Sequence, residues 1–354
     1  MAMTPRERVA AAMNKENLDR PPAAIFTQSA TIGQMDALGA AWPDAHKDAN
    51  IMATLACGTI ECFGFEGART CFCLTAETER FGATVAVDKK DAAPMIKDHP
   101  FHFDAMNGEY DDLAEKLMPV DEFLKGGRVK TVLDSVEILK NNKVKGIKNW
   151  DSEKYPIVAG NTGVFTLCGN LCDTENIIFG MMMDTDAVDK WTAAMTPYVH
   201  AYSQALVDAG ADVVQTSEPS GSTDMLSPDM FEEAAGKACR AALATKGGFG
   251  NILHICGDTT PILDQMITVT TGISIEEKVD SYKAVEVVGG KTVLVGNVGS
   301  VRPLYQGTKE ETIEGVKKSV NAGFNIISSG CGIAPATGNE NMQAMVDTVK
   351  SFGN

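Results

Sequence analysis

The sequence predicts an α/β protein, a (β/α)8 TIM barrel with an elaborated N-terminal region, and three observations carry that expectation. From about residue 155 onward, short β-branched runs alternate with helical stretches, the pattern of parallel strands joined by crossover helices. Six such runs, with one near the amino terminus and one more expected before residue 150, bring the strand number near eight, the number that closes a barrel. No Gly-x-Gly-x-x-Gly follows an early strand, so a dinucleotide-binding sheet has no support.

Taken in order, Thr4 stands as an N-cap before Pro5 at the first helical position, and helix formers continue to Met13. Pro21 and Pro22 stop that helix, and 23–26 reads as the first strand. Residues 31–63 carry helical stretches such as 49–57. Residues 81–87 alternate like an antiparallel strand, and the segment to about 110 is irregular and charged. The barrel strands that follow are expected at 156–159, 211–215, 251–255, 272–276, 291–295 and 324–328, with helices over 186–209, 229–244 and 308–322 between them. No low-complexity linker marks a boundary, so residues 1–354 are expected to form one barrel domain, with 31–150 including an inserted helical and irregular segment.

Composition limits the function classes. With 44% hydrophobic residues in 354, the chain can bury a large core. It carries 47 Asp and Glu against 31 Lys and Arg, a formal charge of -16, which argues against nucleic acid or an anionic membrane as partner. The segment Met1-Ala-Met-Thr-Pro-Arg-Glu-Arg8 is charged from the start and unlike a signal peptide, and no apolar run approaches the ~20 residues of a membrane span. Nine cysteines, an odd number scattered without secretory features, favour free thiols in a reducing compartment, hence a cytoplasmic protein.

The chemistry is expected around Asn251-Ile-Leu-His-Ile-Cys-Gly-Asp258. His254 and Cys256 are two residues apart at the end of a strand, so both side chains face the same way and can meet one metal ion. In a barrel the other strand ends converge on the same place: Gln215-Thr-Ser-Glu-Pro219, Glu276-Glu277, Gly296-Asn297 and Ser328-Ser-Gly-Cys331. His254, Cys256, Cys331 and Glu276 make a donor set with the softness and number that zinc prefers. Glu277 faces the other side of its strand and reads as solvated or ion-paired with Lys278.

Three further strand-end or loop residues are candidates for substrate binding. Glu218 and Asn297 would bind substrate or stabilise a loop. Arg302 would pair with an anionic substrate group, or form a surface ion pair. Asp258 would orient His254 or, as the safer reading, cap the helix beginning near Thr260. Cys168 and Cys172 lack neighbours to complete a metal pair and fit a helical core. The Met-rich 179–183 run also reads as core, with a docking surface for a partner protein as the second reading.

His254-x-Cys256-Gly257 with Cys331-Gly332 resembles the methylcobalamin:coenzyme M methyltransferases of the uroporphyrinogen decarboxylase-like superfamily of (β/α)8 barrels. The resemblance extends through Arg6-Glu-Arg-Val9, Asp19-Arg-Pro-Pro22, Glu79-Arg-Phe-Gly-Ala83, Leu226-Ser-Pro228 and Leu294-Val-Gly-Asn297-Val298. Ile273-Ser-Ile-Glu276 is similar to the strand end that gives a carboxylate ligand in cobalamin-independent methionine synthases, which favours Glu276 over Glu277. The decarboxylases carry an arginine-rich signature after the first strand. Here Ile25-Phe-Thr-Gln-Ser-Ala-Thr-Ile-Gly33 has no arginine.

The resemblance implies a zinc-dependent methyl transfer from a methylated corrinoid, carried by a partner protein, to the thiol of coenzyme M, in methanogenesis from methylated C1 compounds. The alternatives are a decarboxylase of the wider superfamily, or a corrinoid-dependent methyltransferase with another thiol acceptor such as homocysteine. No Asp-x-His-x-x-Gly corrinoid motif is found in the chain, in keeping with a cofactor that arrives on a partner. Zinc suits such a reaction because coordination strips the proton from a thiol whose ordinary pKa is about 8.5.

Overall fold

The computed structural model describes residues 3–28, 30–70 and 73–353. Thr4 forms the expected cap, a reciprocal capping box with Glu7, and the helix Pro5–Met13 follows. Seven parallel strands form one sheet in sequence order: β1 (Ala68–Arg69), β2 (Ile157–Thr162), β3 (Val213–Ser217), β4 (Gly250–Ile255), β5 (Gly272–Ile275), β6 (Val293–Val298) and β7 (Ile326–Ser329). The strand expected before residue 150 is the two-residue β1.

The segment after Pro22 closes the ring between β7 and β1. Ala24 N donates to Ile327 O, Ile327 N donates to Pro22 O, and Glu66 N donates to Ala23 O. It makes a single parallel bridge, at Ala23, instead of the ladder expected over 23–26. The reason is local: the prolines withhold two backbone donors, and the Phe26 and Thr27 carbonyls accept from Arg69 Nε at 2.9 and 3.1 Å instead of from a strand.

Strand alternation sorts the barrel into layers. Val158, Val213, Ile252, Val293 and Ile326 fill the lower interior, sealed by Val9, Ala12 and Met13 of the first helix. One pleat higher the inward residues become polar: Gln215, His254 and Ser274. The alternate residues, among them Leu253, Ile255, Ile273 and Ile275, pack outward in the larger cluster that includes the surrounding helices.

The helices Thr185–Ala209 and Lys309–Ala322 lie where the sequence places them. The 229–244 stretch is helical but broken into Pro228–Met230, a π turn Phe231–Gly236, and Lys237–Ala242. Between the Pro22 segment and β2 stand short helices and two hairpins. The expected strand at 81–87 is trimmed to Thr84–Ala86, paired antiparallel with Met95–Asp98, because Phe81 ends the helix Ala76–Arg80. Among the described residues no helix is long and apolar enough to cross a membrane.

Candidate metal centre at the barrel mouth

His254 is the fifth residue of β4 and points into the barrel above Ile252. The strand ends at Ile255, and Cys256 follows on the same side, so His254 Nε2 and Cys256 Sγ are 3.3 Å apart. Cys331 arrives from the loop after β7, with its sulfur 3.2 Å from that of Cys256. This is a non-bonded separation, far beyond the ~2.05 Å of a disulfide, and both thiols are free. One donor atom from each of His254, Cys256 and Cys331 lies within 4.8 Å of the others. The eight described cysteines are all free, while Cys71 lies outside the described residues.

Position and electrostatics prepare these groups for a cation. His254 is buried, and its Nδ1 is 3.0 Å from Ser274 Oγ. Ser274 was not singled out by sequence, although its place two residues before Glu276 on an inward strand face was a readable signal. A proton held on Nδ1 by that hydroxyl leaves the Nε2 lone pair directed at the sulfurs. The hydrogen bond from Cys256, with His254 adding to it, pulls the Cys331 thiol well below its ordinary pKa, while the same sharing and burial push Cys256 up. One sulfur of the pair is thus poised as a thiolate. An imidazole nitrogen and two sulfurs converging from two strand ends are a donor set that fits zinc.

Glu276 follows β5 on the inward side of Ser274 but is not within the three-donor cluster; its carboxylate accepts from the amide of Gly257, next to Cys256. Glu277 departs from expectation. It is half-buried, with Oε2 lacking a partner among the described residues, and burial raises its pKa. Lys278 pairs with Asp224, at 3.6 Å, instead.

The three substrate-binding candidates are not brought to this cluster. Glu218 is buried, and its carboxylate accepts from the amides of Phe165 and Thr166, at 2.9 and 2.6 Å, and from the Thr166 hydroxyl. It caps the helix Val164–Cys172, whose N-cap Gly163 has no room for a side chain: a Cβ there would stand 2.3 Å from Glu218 Oε2. Asn297 turns outward. Its Oδ1 accepts from Ser281 and Ser319 hydroxyls at 3.0 and 3.1 Å, and its Nδ2 donates to Val279 O. Gly296, at φ +135°, breaks the alternation that would have pointed Asn297 inward. Arg302 is exposed and paired with Glu311, which is the surface ion pair. Asp258 accepts from Thr260 N and Oγ1, a local cap and not a partner of His254. Cys168 and Cys172 are buried in their helix as expected. In the Met-rich run Met181 is buried, but Phe179, Met182 and Met183 are exposed, which corrects the core expectation for that face.

Comparison with known proteins follows this geometry. The family model described as uroporphyrinogen decarboxylase (URO-D) matches residues 4–352. The chain is 34% identical, over 99% of its length and 98% of the relative, to the methylcobamide:CoM methyltransferase MtbA of Methanosarcina acetivorans. It is 30% identical to the methylcobamide:CoM methyltransferase MtaA of Methanosarcina barkeri, covering 97% of this chain and 96% of that protein. A solved methyltransferase from Methanosarcina mazei superposes with a TM-score of 0.89 at 31% identity, covering 99% of both chains.

Proposed function

The chain belongs to the uroporphyrinogen decarboxylase family, and from that premise we propose that it is a methyltransferase that moves a methyl group from a methylated corrinoid to the thiol of coenzyme M. The observation that carries this reading is the convergence of His254, Cys256 and Cys331 at the barrel mouth, in a chain related along its whole length to methylcobamide:CoM methyltransferases.

We assign His254, Cys256 and Cys331 as zinc ligands and Glu276 as the fourth. Glu276 is supported by its place on the inward side of β5 and by its contact with the amide beside Cys256. Zinc held there would bind the acceptor sulfur and keep it as a thiolate at neutral pH. Ser274 orients the His254 ring, and the amide of Gly257 steadies the Glu276 carboxylate. In the overall transfer an S–C bond forms as the Co–C bond breaks. The bonding pair stays on cobalt, Co(III) becomes Co(I), and the thiol proton passes to water.

The corrinoid is carried by a partner protein, since the chain lacks an Asp-x-His-x-x-Gly motif. We place the reaction in the cytoplasm, in keeping with the free cysteines, as a step of methanogenesis from methylated C1 compounds.

The test is demethylation of methylcobalamin, followed spectroscopically, with coenzyme M and homocysteine offered in parallel. One zinc per chain, zinc-dependent turnover with coenzyme M, and loss of both in Cys331→Ser are expected. Turnover that persists after zinc is removed, or absence of turnover with every thiol, would sink the reading.

A further inference from the structure

The sulfur of the acceptor has its holder in the metal centre; the rest of the acceptor needs one too, and this inference rests on the thiol-transfer reading. Seven polar side-chain atoms are buried without a partner among the described residues, among them Gln28 Nε2, Thr259 Oγ1, Glu277 Oε2 and Thr337 Oγ1 in segments near the barrel mouth. Only Gln28 offers a group that is purely a donor.

Gln28 adjoins a proposed ligand. Its Cβ is 3.6 Å, and its Oε1 4.0 Å, from the point where a side chain on Gly332 would begin, the residue after Cys331. The segment is pinned against that loop: Thr27 Oγ1 donates to Cys331 O at 2.8 Å, and Ile333 N donates to Gln28 O at 2.9 Å. Arg69 Nε, deep in the barrel, holds the carbonyls of Phe26 and Thr27 from the other side. The backbone of Gln28 is therefore fixed beside Cys331 while its amide NH2 has no partner among the described residues.

A buried donor left without a partner is costly, and native structures keep few of them except where something else supplies the acceptor. An NH2 group brings two hydrogens to an anionic oxygen without the burden of burying a second charge. The last torsion of a glutamine side chain is soft, so the NH2 can follow a ligand while the backbone stays in place.

We propose that the side-chain amide of Gln28 donates a hydrogen bond to the anionic headgroup of the thiol acceptor, and so selects a short thiol carrying an acid group over a neutral one. The sulfur is held by the metal centre and the acid group by Gln28. Loss of the amide then weakens acceptor binding without disturbing metal content or the transfer step.

The experiment uses zinc-loaded protein and two thiols of the same length, 2-mercaptoethanesulfonate and 2-mercaptoethanol. KM and kcat are measured with methylcobalamin as donor, and binding of each thiol is measured by calorimetry without donor. Gln28→Met keeps the volume and removes the donors; Gln28→Glu places a like charge against the headgroup. Gln28→Met is expected to raise KM and Kd for the sulfonate about tenfold, with kcat, zinc content and the constants for 2-mercaptoethanol unchanged. Gln28→Glu should act in the same sense and more strongly.

Equal weakening of both thiols, no change for either, or loss of zinc overturns the assignment. The calorimetric ratio of the two thiols judges Gln28 whether or not turnover occurs. A wild type that binds the sulfonate through Gln28 but transfers no methyl group refutes the transfer reading alone; one that binds neither thiol refutes both.

Discussion

At the scale of single residues, the proposed metal centre depends on Ser274 as well as on its assigned ligands. The hydroxyl on Nδ1 fixes which nitrogen of His254 faces the sulfurs, and such partners typically carry 10–100-fold in metal affinity. Ser274→Ala should therefore weaken zinc by about that factor, in competition with a chromophoric chelator, while the far-ultraviolet dichroism stays that of the wild type. An unchanged affinity would mean that packing alone orients the ring. Glu218 belongs to the opposite class. Its buried carboxylate is consumed by Phe165, Thr166 and Cys239, so Glu218→Ala should cost about 3 kcal/mol of stability in urea unfolding. The KM for coenzyme M should stay unchanged; a raised KM with unaltered stability would restore Glu218 to substrate binding.

At the scale of elements, the first helix is tied to the chain by charge as well as by its apolar face. Arg8 Nε bonds Asp19 at 2.7 Å, and this contact holds the Asp19 carboxyl well below the ordinary carboxylate range. A depressed folded pKa stabilises above the unfolded value, about 3.9, and that contribution is lost as pH falls from there through the folded value. The thermal midpoint of the wild type should therefore drop more steeply than that of Asp19→Asn below about pH 4. Parallel curves would show that the pair adds nothing. Elements also explain what could be read without coordinates. Period and capping chemistry are local, so Thr4, the long helices and the strand carrying His254 were legible, as was the meeting of Cys256 with Cys331 once a barrel was assumed. Asn297 was misdirected because alternation assumes an unbroken pleat, and Gly296 breaks it. Glu277 reads from sequence as solvated or ion-paired because nothing in the sequence reveals how the loops fold over it. Gln28 went unnoticed because its interest lies in a partner it lacks, which only three-dimensional packing discloses.

At the scale of the whole molecule, the barrel is closed by a short segment that has almost no ladder of its own, so its hold must come from elsewhere. Glu66, just before β1, supplies it. Its carboxylate is buried and accepts from Arg8, from Arg20 at 2.7 Å, and from the backbone N of Ala23 at 2.9 Å. One side chain thus joins the first helix, the closing segment and the first strand. Removing one member of a buried charge network leaves the others desolvated and unpaired, which is far worse than never having buried them. Glu66→Ala leaves Arg20 without its carboxylate partner and Arg8 with Asp19 alone, and should lower stability by about 3 kcal/mol or more in urea unfolding. The assigned zinc ligands come from the end of β4, from just after β5 and from the loop after β7, however, and none of them contacts Glu66 directly. Below its lowered unfolding transition the variant should still bind one zinc per chain. The segment it loosens leads through Phe26 and Thr27 to Gln28, so the discrimination between 2-mercaptoethanesulfonate and 2-mercaptoethanol should narrow while metal content holds. If stability falls with discrimination intact, the Arg69 and Thr27 contacts alone fix Gln28, and ring closure is mechanically separate from the mouth.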